Sequence, residues 1–438
     1  MRSDITERLI ALGPLINEIC TIAGVPGLSL GVSYKGETIH RLNYGYKDVE
    51  KQQPAEPDTA YGIGSITKCF TAMAICQLIS KAAIPQLPIE KSSDISYENY
   101  LQKSIFGPLQ LTKTTADHGC IPSDLIAKSY TVLDGGSFSL LPQPKAQDGT
   151  IMGPAQGILS TVNDMLKYSN SLLQALSDEK SSPLKNAKSQ LSGHISTAKS
   201  ILESYYGLGF FRHQLPGTIT GTGINGAFVK KLPVITPRGG ARFVISHPDS
   251  SLVVLTNSIG WADPSVWIGH IIVKALVDTP NQVDILQYVR EAAENHKNSY
   301  PNLQKPFDEA RSNETKSSPA EEDVGTYRNE KSGFLVEIRA KTDGTIQVAF
   351  QGLDSQVWDL THYENDTFHW LSSRDEQAKR ARFTYPFSPG FFKIIIKRNS
   401  EGHIYSLCWS QDASIPADEQ CFSKVEMAEG KYGIQKIM

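Results

Sequence analysis

The chain has 438 residues, 40% of them hydrophobic, which supplies a substantial core and is long for one domain. Its 43 basic and 46 acidic residues leave a net charge of −3 without a long like-charge run, arguing against nucleic acid or an anionic membrane as partner. Without a membrane-length apolar stretch, a signal-peptide pattern, or metal-ligand or disulfide-framework spacing among Cys20, Cys69, Cys76, Cys120, Cys408 and Cys421, a cytoplasmic protein with reduced thiols is expected.

In chain order, Ser3 caps a helix in which Ile5, Leu9, Leu12, Leu15, Ile16 and Ile19 recur at helical spacing, and Gly24-Val-Pro-Gly27 ends it. Residues 28–34 and 38–44 read as two strands joined by a turn at Lys35-Gly36-Glu37. Gly62 and Gly64 allow a tight turn before Ser65, and Phe70, Met73, Ala74, Cys76, Leu78 and Ile79 make the next helix apolar. A helix is predicted at 97–105, stopped by Gly107-Pro108, and another around 161–176 after Gly153-Pro-Ala-Gln-Gly157. Residues 207–211, 228–235, 242–246 and 252–256 have strand character, and 265–277 reads as a closing helix.

From 301 to 323 the composition shifts to Pro, Ser, Asn, Glu and Lys, which reads as a linker. Beyond it, strands at 334–338, 345–350, 368–371, 391–397 and 405–409 alternate with turns such as Asp343-Gly344 and Glu401-Gly402. They predict a small antiparallel sheet or barrel. The expected organisation is a domain at 1–300, a linker at 301–323 and a β-barrel domain at 324–438.

The candidate chemistry lies at Ser65 and Lys68. Three residues apart at the mouth of a helix, the two share a face, so the Lys68 amine can lie beside the Ser65 hydroxyl. The helix N-terminus adds free backbone N–H groups and a partial positive charge. A lysine buried beside a serine loses its preference for the charged form and can take the hydroxyl proton. Ser-x-x-Lys recurs at Ser177/Lys180, Ser182/Lys185 and Ser196/Lys199, but in a polar stretch that reads as solvated surface.

The order helix, two strands, Gly-Ser-x-x-Lys helix resembles the serine β-lactamase and penicillin-binding-protein superfamily. The likeness is greatest to its class C-related branch of esterases, D-aminopeptidases and fungal acyltransferases. It extends to residues 26–36, Tyr44-Gly45-Tyr46, Pro57-Asp-Thr-Ala-Tyr61, and residues 96–108, 153–164 and 252–257. The resemblance implies an α/β (α+β) fold, with an antiparallel sheet flanked by helices, a shortened helical region and a lipocalin-like C-terminal barrel. It also implies Ser65 as nucleophile, Lys68 as its proton partner, and no metal or organic cofactor.

Two family features are missing where the resemblance would put them. The Tyr-x-Asn segment belongs between the Ser65 helix and residue 96, but only residues 82–95 lie there, without that motif. Tyr168-Ser169-Asn170 matches as text inside a later helix, and Tyr130 lacks the asparagine. For the Lys-Thr-Gly or His-x-Gly motif the nearest remnant is His247, followed by Pro248-Asp249 instead of glycine. The gaps fit either a divergent homologue or a transcript lacking coding segments.

Three readings therefore stand. One is a serine hydrolase or acyltransferase acting on a small-molecule ester, thioester or amide, in secondary-metabolite biosynthesis by family analogy. Another is a catalytically impaired homologue that binds a small molecule or a protein. A third has the C-terminal barrel as a lipocalin-like binding module in its own right. Oligomeric state is not legible.

Overall fold

Large Leu28, Leu30 and Val32 alternate with small Ser29, Gly31 and Ser33 along the strand Gly27–Tyr34, so a period of two sends bulk to one face and leaves room on the other. The computed structural model describes residues 2–80, 89–143, 146–197, 199, 204–214, 233–236, 241–246, 249–278, 284–312, 314–315, 320–381, 388–412, 415–416 and 420–425. The chain divides into two units, Met1–His296 and Lys297–Met438.

In the first unit the described strands form a main antiparallel sheet. Its order is Gln53–Pro54, Glu37–Asp48, Gly27–Tyr34, Ser250–Thr256, Ala241–Ser246, Pro233–Thr236, Phe211–Gln214, Ser204–Tyr206 and Ile195–Ser196. The bulky face packs on the helices Arg2–Ala11, Gly13–Ala23 and Pro264–Leu276 through Leu9, Ile16, Ile19, Ile268 and Ile272. On the other face a Cβ at Gly31 would stand 2.5 Å from Val162 and 2.7 Å from Leu166, so the helix Val162–Ser177 lies directly on the sheet. Hydroxyls of Ser33, Ser169 and Ser251 pair there at 2.7 and 2.6 Å, satisfying groups that burial would otherwise strand. The helix Thr67–Ser80 joins the same core through Phe70, Met73 and Leu78. Phe70 stacks on Tyr168 with 4.2 Å between ring centroids. Among the described residues no helix is long and apolar enough to cross a membrane.

Several predicted elements change on folding. The single N-terminal helix is two, Arg2–Ala11 and Gly13–Ala23, because Pro14 cannot donate an N–H into one continuous helix. Residues 207–210, predicted within a strand, form the loop between Ser204–Tyr206 and Phe211–Gln214. Of the 228–235 prediction, residues 228–232 lie outside the described residues, and the remainder falls in the strand Pro233–Thr236. Residues 301–309, predicted as linker, belong to the helix Ile285–Glu309. Buried Val289, Ala293, Tyr300, Leu303 and Phe307 recur along it at helical spacing, a stripe masked in the sequence by Pro301, Pro306 and the polar residues between.

In the second unit the strands Gly325–Arg328, Leu335–Ala340, Ile346–Phe350, Val357–Glu364, Thr367–His369, Lys393–Arg398, Ile404–Cys408 and Cys421–Lys424 close into a barrel. Aromatic rings fill its core: Trp370 meets Phe350, Trp358, Phe391, Phe392 and Trp409 at centroid distances of 5.2, 5.5, 5.3, 5.0 and 6.5 Å. An eight-stranded barrel is just wide enough to be filled by side chains or to hold one small ligand, and these rings occupy the interior of this one. Cys408 and Cys421 stand opposite each other on paired strands and form a disulfide. The expectation of six reduced thiols is thereby corrected, because strand register and not sequence spacing brings this pair together.

Half-buried His369 follows the core residue Phe368 and precedes the core residue Trp370, and stands edge-on to Phe307 and Tyr363 with centroids 5.2 and 6.1 Å away. Burial, helped by Arg311 and Lys393 against the pull of Asp308, pushes its pKa down to about 4. Between that value and about 6.5 the unfolded chain binds the proton more readily than the folded one. His369 therefore costs the barrel stability as pH falls through this window. His369→Gln is expected to remove about 1–2 kcal/mol of that pH dependence, allowing for the part of the ring that water reaches. Urea unfolding of both proteins across the window tests this, and parallel pH profiles would refute it.

Candidate active site

The turn carrying Ser65 is clamped before the helix begins. Tyr61–Gly62 pairs with Leu159–Ser160, and the Ile63 N–H donates to the Ile158 carbonyl at 3.0 Å. Gly64 reverses the chain at φ +52°, a conformation that favours glycine. Gly64–Ile66 makes a single 3-10 turn that runs into the helix Thr67–Ser80. Ser65 thus stands in the turn just ahead of the helix, with the strand Ala241–Ser246 alongside.

From the first turn of the helix, Lys68 Nζ donates to Ser65 Oγ at 2.8 Å and to the Ala155 carbonyl at 3.0 Å. Both side chains are half-buried. With two of its three donors engaged, the amine is held on the serine oxygen and not left to sample rotamers. The short helix Gly153–Gln156 that presents Ala155 is itself fastened to the Thr67–Ser80 helix. The Ile158 N–H donates to Thr67 Oγ1 at 3.1 Å, and Thr71 Oγ1 donates to the Pro154 carbonyl at 2.6 Å. The buried Tyr97 hydroxyl lies 2.7 Å from Thr71 Oγ1, and His118 Nε2 lies 2.8 Å from the Gly157 carbonyl.

The opposite flank of the helix is held by Gln190, whose Nε2 donates to the Cys69 carbonyl at 2.7 Å, and by Gly209. The Cys69 thiol donates to the Gly209 carbonyl at 3.1 Å, and burial pushes that thiol's pKa up. Gly209 sits at φ +87°, and a Cβ there would stand 2.9 Å from the Lys68 carbonyl oxygen and 3.0 Å from Cys69 Cα. Gly209→Ala is therefore expected to cost about 2–3 kcal/mol. Urea melts measure that loss; a cost under about 0.5 kcal/mol would show that the loop yields freely.

The remaining residues singled out in the sequence sit elsewhere. The Tyr130 hydroxyl donates to Glu50 Oε2 at 2.6 Å and accepts the Val49 N–H at 2.9 Å. The Tyr168 hydroxyl donates to the Cys69 carbonyl at 3.4 Å, and burial raises its pKa. Neither engagement is with Ser65 or Lys68. His247 lies outside the described residues. In the competing pair Ser182/Lys185, the lysine donates to the Glu179 and Ser182 carbonyls while the Ser182 hydroxyl accepts the Leu184 N–H. Its amine is engaged with carbonyls, whereas that of Lys68 also reaches the hydroxyl of its own serine. Among the described residues no group of three His, Cys, Asp or Glu is placed to hold a metal.

The family model described as Beta-lactamase matches residues 15–84 and 86–270, well over half of the chain. The chain belongs to this Beta-lactamase family. Among its relatives, "Serine beta-lactamase-like protein LACTB, mitochondrial" of Bos taurus is 39% identical over 64 residues, 15% of this chain and 12% of that protein. "Protein flp" of Staphylococcus aureus (strain N315) is 29% identical over 104 residues, 24% of this chain and 21% of that protein. The matched stretches thus span only 12% and 21% of these relatives' lengths. The octameric penicillin-binding protein homologue from Pyrococcus abyssi superposes with a TM-score of 0.50 at 17% identity, covering 92% of this chain and 96% of that one. At that identity the likeness speaks for the fold, a β-lactamase and penicillin-binding-protein-like one.

Within this family frame, the supports around Ser65 that sequence reading passed over are Thr67, Thr71, Tyr97, Ala155 and Gly209. One of them did carry a textual signal: Tyr97-Glu98-Asn99 is itself a Tyr-x-Asn tripeptide. Its tyrosine is buried and reaches Thr71, but Asn99 is exposed and its backbone N–H is taken up by Ser96 Oγ at 3.2 Å. The other four are recognisable only from contacts between distant segments.

Proposed function

We propose that this chain is a serine hydrolase or acyltransferase that works through an acyl-enzyme on Ser65. The observation carrying the proposal is the 2.8 Å contact between Lys68 Nζ and Ser65 Oγ, with the amine braced by the Ala155 carbonyl. In its neutral form Lys68 accepts the Ser65 proton as Oγ bonds to the carbonyl carbon of an ester, thioester or amide. The tetrahedral intermediate collapses as Lys68 returns the proton to the leaving alcohol, thiol or amine, leaving the acyl group on Ser65. Water then completes hydrolysis, or an alcohol completes acyl transfer. The second outcome underlies a role in small-molecule biosynthesis.

Incubation of the whole chain with a fluorophosphonate, followed by intact mass and peptide mapping, tests the reading. One adduct on the peptide containing Ser65 supports it. The alternative, a binding homologue without turnover, is favoured by the engagement of the Tyr130 and Tyr168 hydroxyls away from the Ser65–Lys68 pair. Failure of the chain to form any adduct, together with no turnover of acyl esters short or long, would decide for it.

A further inference from the structure

The helix behind Ser65 is largely apolar, yet one side of it faces solvent. Lys68, Ala72, Ile75 and Ile79 follow at spacings of four, three and four residues and so share one face. Ile75 is 36% and Ile79 is 48% exposed. From Cys69 to Ser80 the helix carries no Asp, Glu, Lys, Arg or His, so the exposed face is apolar where a surface helix is normally polar.

At its Ser65 end the stripe is flanked on both sides. Thr71 and Cys69 point to opposite sides of the Lys68 face. On the Thr71 side lies the Pro154–Ala155 segment, preceded by Ile151, 96% exposed, and Met152, 44% exposed. On the Cys69 side lies the loop holding Leu208, 38% exposed, whose carbonyl accepts from the same Gln190 amide that binds Cys69. The stripe begins at the Ser65–Lys68 pair and runs about 16 Å to Ile79 at 1.5 Å per residue. That is the reach of a long extended acyl chain.

We infer that this stripe is the acyl subsite, and that the preferred donor carries a long unbranched apolar acyl group laid along Ala72, Ile75 and Ile79. The inference rests on the proposed Ser65 acyl-enzyme and gives its substrate class. A chain starting at the Ser65 carbonyl carbon is the occupant whose one end is already placed, and its methylenes would cover apolar surface that now meets water.

The test compares kcat/KM for p-nitrophenyl dodecanoate and p-nitrophenyl acetate, with Ser65 acylation followed by intact mass. Wild type is expected to favour dodecanoate by about tenfold or more. Ile79→Glu and the milder Ile79→Ser are each expected to reduce that ratio, the first by about tenfold. The ratio is internal, so a partly unfolded variant lowers both rates without moving it. Acylation of Ser65 by both esters with no preference, or a preference that Ile79→Glu leaves intact, overturns the subsite while leaving the nucleophile standing. A change in oligomeric mass with Ile79→Glu at an unchanged ratio would assign the stripe to a second copy of the chain and also overturns it. No acylation by either ester removes the Ser65 reading, and the subsite with it.

Discussion

Ser65→Ala is expected to lower kcat/KM for an activated ester by about 10⁴-fold or more and to abolish the covalent adduct. The substitution removes one oxygen from a site whose fold does not depend on it. Among the described residues that oxygen accepts a hydrogen bond from Lys68, while the turn is held by Ile63, Gly64 and the Leu159–Ser160 pairing. The variant should therefore melt within about 0.5 kcal/mol of wild type while losing the chemistry, a separation readable by urea unfolding beside kinetics. Residual turnover near the wild-type level would mean that hydrolysis arises at another group.

Lys68 gives the second large effect. Lys68→Met is expected to slow acylation by about 10²–10⁴-fold, the span of a positioned acid–base group. It also leaves the Ala155 carbonyl without its 3.0 Å donor, so a rate loss alone would not separate chemistry from support. Lys68→Arg makes the separation. A guanidinium keeps the positive charge and the donors but does not give up a proton in a protein. If Lys68 acts as base, arginine should be nearly as slow as methionine, and the pH dependence of acylation should flatten in both. If the lysine only ties the Gly153–Gln156 helix in place, arginine should restore most of the rate.

These two predictions rest on the part of the site that was legible in the sequence. A serine and a lysine three residues apart at a helix start are close whatever the rest of the chain does, because the backbone geometry of one turn brings them together. Residues 28–34 and 38–44 were likewise legible as two strands joined by a turn, and they pair as antiparallel neighbours. The barrel strands were legible from turns such as Asp343-Gly344, which sits between the paired strands Leu335–Ala340 and Ile346–Phe350. By contrast, Tyr168-Ser169-Asn170 spelled a family motif and folded into the core, with Tyr168 stacked on Phe70 and Ser169 bonded to Ser251. Tyr97, which was not singled out in the sequence, ended one hydrogen bond from the Thr67–Ser80 helix.

The sequence by itself determined the Ser65–Lys68 pair, the two strands at 28–34 and 38–44 and the antiparallel character of the C-terminal unit. Each of these depends on residues within a few positions of one another, where backbone periodicity leaves little choice. Only the tertiary structure decided that the Ala155 carbonyl braces the lysine, that Gly209 lies against the backbone of Cys69, that Cys408 meets Cys421, and that Tyr130 is spent on Glu50. In each of those cases the partner comes from a distant segment or across a strand pair, and is selected by packing that no local spacing encodes.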